Sequence, residues 1–65
     1  MRFVLKIDCD NAAFQDPYGD GTVDPLPEIS GLLREASFQV GHNRNVAGVL
    51  HDVNGNAVGE FCLHP

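Results

Sequence analysis

The sequence predicts an α+β domain of order β-α-β-β: a three-stranded sheet with one helix packed on one face. Three observations predict it. Residues 2–8 alternate apolar and polar side chains with the period of a strand. Residues 27–40 carry apolar side chains at helical spacing. Residues 46–63 read as a hairpin folded about Asn54-Gly55, the strongest short-range hairpin signal.

In the first strand Phe3, Leu5 and Ile7 point one way, and Arg2, Val4, Lys6 and Asp8 the other. A long connection follows from Cys9 to Asp24, with Pro17, Gly19, Gly21 and four aspartates. Connections of that length are usually functional or disordered. Its opening, Asp10-Asn11-Ala12-Ala13-Phe14, reads as one helical turn capped by Asp10, with Phe14 reaching the core. The helix then places Ile29, Leu32, Leu33, Ala36 and Val40 on one buried stripe. Pro27 suits its first position, Glu28 its positive end, and Gly41 its termination. Two residues break the pattern. Gly31 weakens the helix by ~1 kcal/mol relative to Ala, and Phe38 falls on the face opposite Ile29.

With Asn54 and Gly55 as a two-residue type I′ turn, Asp52 faces Ala57, Leu50 faces Gly59, Gly48 faces Phe61 and Val46 faces Leu63. Those pairs make the inner face, with Phe61 covering Gly48. The outer face carries Ala47, Val49, His51, Val58, Glu60 and Cys62. A right-handed crossover makes strands one and two parallel. Strand three fits between them, antiparallel to both, giving the order 2-3-1.

Sixty-five residues allow one domain, 1–65. A chain this short buries only ~60% of the surface its unfolded form exposes, and domains of this size often lean on a partner. The net charge of −5, with only four scattered cations, argues against nucleic acid and against anionic membranes. No apolar run is long enough to span a bilayer. Cys9 and Cys62 are too few for a disulfide scaffold and read as free thiols of a cytoplasmic protein.

Several residue groups could carry chemistry. Asp16, Asp20, Gly21 and Asp24 match positions 1, 5, 6 and 9 of a calcium loop. Tyr18 stands at position 3, where Asp or Asn belongs, and Pro27 at position 12, where a bidentate acid belongs. The expected reading of this stretch is a turn-rich loop without metal. A cation-binding module using the acidic residues 8–24 is the alternative function. Asp52-Val53-Asn54-Gly55-Asn56 resembles the start of a second such loop, but the hairpin accounts for each of its residues. Asp8, Cys9 and Asp10 with His51 and Asp52 offer mixed metal ligands at no recognised spacing. Cys62 and His64 make a weaker pair. Cys9 with His51 and Asp52 is the one nucleophile arrangement, and acidic neighbours oppose its thiolate. The expectation is a non-enzymatic protein with no catalytic residue, cofactor or metal.

The outer sheet face holds more apolar residues than a solvated face needs. Val4, Val49 and Val58 stand there with Ala47 and Cys62. Gly31 and Phe38 share the outward helix face, and Tyr18 adds an aromatic in the acidic loop. These residues are the expected partner-binding set of a self-associating protein, a homodimer, with a host protein as a further partner.

Met1-Arg2-Phe3-Val4-Leu5-Lys6-Ile7-Asp8-Cys9-Asp10-Asn11-Ala12-Ala13-Phe14 opens the chain. Together with Pro27-Glu28-Ile29, Leu32-Leu33-Arg34 and the ending Asp52–Phe61, it resembles small proteins of actinomycetes and their bacteriophages. The likeness spans most of the chain. It implies an accessory protein of a phage or mobile element in the bacterial cytoplasm, and no particular activity. It also implies that Asp16–Asp24 is a variable insertion.

Overall fold

A computed structural model describes residues 1–10 and 24–65. Residues 11–14 of the expected helical turn, and the acidic loop as far as Val23, lie outside the described residues. Strand β1 spans Arg2–Ile7, helix α1 Leu26–Gly41, β2 Ala47–His51 and β3 Ala57–His64. β3 is the central strand, antiparallel to β1 on one side and β2 on the other. The α+β class, the element order and the strand order all match the sequence expectation. α1 packs on the sheet chiefly over β2.

Helical spacing brings Leu32 and Ala36 to the sheet, where Leu50, Val58 and Phe61 complete the buried core. Leu5, Ile7, Cys9 and Ile29 pack around it half-buried. Two glycines let the layers close. Gly48 pairs with Phe61, and a Cβ on Gly48 would stand 2.6 Å from two carbons of the Phe61 ring and against Gln39 Oε1. A Cβ on Gly59 would stand 2.6 Å from the Lys6 carbonyl oxygen and crowd Ile7 and Leu50. Gln39 also secures the helix to the β2 edge, its Nε2 donating to the Val49 carbonyl at 3.2 Å.

The turn differs from the expected two-residue type I′. Among the described non-glycine residues only Arg44 has positive φ, so Asn54 does not adopt the conformation that type I′ requires. The Gly55 amide instead donates to the Asp52 carbonyl at 3.0 Å, and the Asp52 amide to the Asn56 carbonyl at 2.9 Å. The loop is therefore three residues, Val53-Asn54-Gly55, with Gly55 at φ +83° taking the left-handed position. This changes the expected Asp52–Ala57 pair: His51 faces Ala57 and Leu50 faces Gly59. Val58 is the extra residue of a bulge.

The helix end differs too. Gly41 is the last helical residue rather than the left-handed stop. The chain reverses three residues later at Arg44, φ +60°. The amides of His42 and Asn43 donate to the Phe38 carbonyl, and that of Asn45 to the Gln39 carbonyl, which satisfies two carbonyls of the last turn.

The two kinds of glycine predict opposite outcomes. Gly41 is helical, and a Cβ there meets nothing within 4 Å. Gly41→Ala is expected to stabilise by about 0.5–1 kcal/mol. Gly59→Ala forces a methyl onto a backbone oxygen and is expected to cost about 1–3 kcal/mol. Urea unfolding of both variants checks the pair, and a Gly59→Ala chain as stable as the parent would refute the close approach.

Candidate functional site

The period of two along the strands fixes what stands on the face away from α1. One cross-strand row is Val4, Cys62 and Ala47; the next is Lys6, Glu60 and Val49. Together with His64 they line a broad, open concavity of about 570 Å3. Val4 and Cys62 are half-buried by their neighbours, while Ala47 is exposed and Val49 is 48% exposed. The arrangement is a narrow apolar band with Lys6, Glu60 and His64 beside it. It resembles the apolar centre and polar rim of protein interfaces.

Val58 does not belong to this band. By strict alternation it would point outward, and the sequence expectation placed it there. The bulge breaks the alternation, so Val58 joins the core and is only 7% exposed. Phe38 is on the outward helix face, as expected, at 56% exposure. It does not join Gly31 in one site; its ring stacks on the His42 imidazole one turn on, centroids 4.7 Å apart. Gly31 instead lines an open groove between the first half of α1 and the hairpin turn, with Arg34 as its nearest neighbour. Tyr18 and the calcium-like Asp16, Asp20 and Gly21 lie outside the described residues.

The remaining candidate ligands serve the backbone. Asp8 Oδ1 accepts the Asp10 amide at 3.0 Å, and Asp24 Oδ1 accepts the Leu26 amide at 3.2 Å. Among the described residues no three of His, Cys, Asp or Glu converge in a group that could hold a metal. Cys9 packs against the core with its thiol 4.0 Å from the Ile7 carbonyl, while Cys62 stands on the opposite face. Both are free. No helix among the described residues is long and apolar enough to cross a membrane.

Asp52 is the one buried charged residue among those described. Its Oδ1 accepts the amides of Asn54 and Asn56, both at 2.9 Å, and its Oδ2 faces the Asn56 side-chain amide at 3.4 Å. The segment that looked like a second calcium loop thus uses its carboxylate to tie its own turn. Burial pushes the Asp52 pKa up, but donation from Asn56, Asn54 and Gly55 together outweighs it and leaves the carboxyl below the usual aspartate value.

Sequence reasoning missed a second feature at the far end of the helix. Phe3, Val46, Leu63 and Val40 all carry core-face spacing, yet Phe3 remains 46% and Val46 63% exposed. With Arg44 and Asn45 they line a cleft of about 180 Å3. α1 packs chiefly over β2, so the inner-face residues Phe3 and Leu63 near its C-terminal end stay partly open.

The chain matches no protein-family model, no curated protein and no solved structure, so fold and site chemistry carry the functional reading.

The lowered Asp52 pKa has a defined sign. Its contribution to stability is complete above the unfolded aspartate value of about 3.9 and is lost as the pH falls through the lower folded value. Thermal melts from pH 6 downward should show a steeper loss below about pH 4 for the parent than for Asp52→Asn. Parallel curves for the two chains would show that the turn carboxylate contributes nothing.

Proposed function

We propose that this chain is a small, non-enzymatic protein-interaction module that self-associates through the outer face of its sheet. The observation that carries the reading is the Val4–Cys62–Ala47 row beside Val49, on a face opposite the only described helix. A domain of this size has little stability to spare, and burying that band against a second copy would add apolar contact. A two-fold contact of one face with itself is the commonest route to a homo-oligomer. The same face offers a docking surface for a host protein.

The non-catalytic part of the reading is supported by Cys9. Its thiol sits against the core and the Ile7 carbonyl, while His51 is an exposed residue at the end of β2. A cytoplasmic setting is supported by two free thiols on opposite faces of the sheet. A phage or mobile-element context follows from the sequence resemblance alone.

Val49→Lys places a charge in the apolar band, where burial without a partner is costly. The parent is expected to show a dimer mass by light scattering at about 100 μM, and Val49→Lys a monomer mass, corresponding to an affinity loss of at least tenfold. A monomeric parent whose melting temperature is unaffected by Val49→Lys would end the self-association reading.

A further inference from the structure

The cleft at the C-terminal end of α1 points to a second, head-to-tail contact, independent of the outer face. Phe3, Val40, Val46 and Leu63 give it an apolar lining, and Arg44 and Asn45 line it beside them. Arg44 holds a left-handed backbone, which is unfavourable for a non-glycine residue. Strain retained at a cation beside an apolar cleft fits a binding role. The complementary ligand is an aliphatic side chain beside a carboxylate.

The chain itself presents one. Leu26, the first residue of α1, is 69% exposed. Asp24 lies two residues before it, and its Oδ1 accepts the Leu26 amide, which holds that carboxylate beside it. Val53 is also exposed, but the carboxylate beside it, Asp52, is taken up by the turn amides. Leu26 cannot fill the cleft of its own chain. Leu26 and Val40 stand at opposite ends of one helix, about 21 Å apart at 1.5 Å per residue. We propose that Leu26 of one copy inserts into the Phe3–Val40–Val46–Leu63 cleft of the next, with Asp24 meeting Arg44. Such a contact joins different surfaces of the two copies, so it propagates into chains or rings rather than stopping at a dimer.

The test uses the Val49→Lys chain, which removes the outer-face contact if that contact exists and is harmless if it does not. Sedimentation of this chain up to about 1 mM should show average mass rising steadily past that of a dimer. Leu26→Asp removes the knob, and Arg44→Glu reverses the cation. Each alone should stay monomeric. An equimolar mixture of the two should form a heterodimer and nothing larger, because one intact knob and one intact cleft remain. Arg44→Gly, which removes the charge together with the backbone strain, should weaken association at least tenfold without loss of fold by circular dichroism. A rising mass unaffected by Leu26→Asp or by Arg44→Gly would overturn the proposal, as would a mixture that stays monomeric or a parent that never associates.

Discussion

The contact on which the other layers depend is the Phe61 ring lying over Gly48. Phe61 sits on the central strand, so it is the side chain best placed to bridge sheet and helix. Its ring occupies the space that any side chain at residue 48 would need. The vacancy lets α1 settle over β2, with Gln39 reaching the β2 edge and Leu32 and Ala36 meeting Leu50. On the other flank Gly59 brings β3 close to the Lys6 carbonyl. Missing side chains thus allow a close approach on both flanks of the central strand.

Much of this was legible from spacing. The period-two pattern of Phe3, Leu5 and Ile7, the helical stripe through Leu32 and Ala36, and the turn glycine fixed the class and strand order. The details that failed were decided by hydrogen bonds that spacing does not encode. Asn54-Gly55 reads as a two-residue turn, but Asp52 offers a carboxylate to the Asn54 and Asn56 amides, and that favours a three-residue loop. The longer loop shifts the pairing at His51, and the bulge at Val58 absorbs the shift. One aspartate thus moved a valine from the outer face into the core. Gly41 failed for a related reason. The carbonyls of Phe38 and Gln39 find amide partners beyond it, so the helix runs to its glycine and the reversal falls on Arg44.

The candidate surfaces were legible unevenly. Val4 and Val49 stand on the open face as alternation requires, and Phe38 is exposed as its helical angle requires. The cleft beside Arg44 was not foreseen, because periodicity assigns Phe3, Val46 and Leu63 to the inner face without saying where the helix stops covering it. Coverage depends on the helix lying over β2 instead of the sheet centre. The acidic residues show the converse. Asp8, Asp24 and Asp52 looked like ligands by composition, and each has at least one oxygen committed to a nearby backbone amide.

The pairing of Arg2 with His64 also has a mechanical meaning. Strands β1 and β3 run antiparallel, so the chain enters and leaves the sheet at neighbouring points, roughly 5 Å apart. Tension applied between those points would load the ladder one rung at a time, opening Arg2–His64 first, then Phe3–Leu63, then Val4–Cys62. Force would unzip the sheet sequentially instead of shearing all its rungs together. Tethered at both ends, such a domain would yield to a weak pull and close again from the Gly59 end.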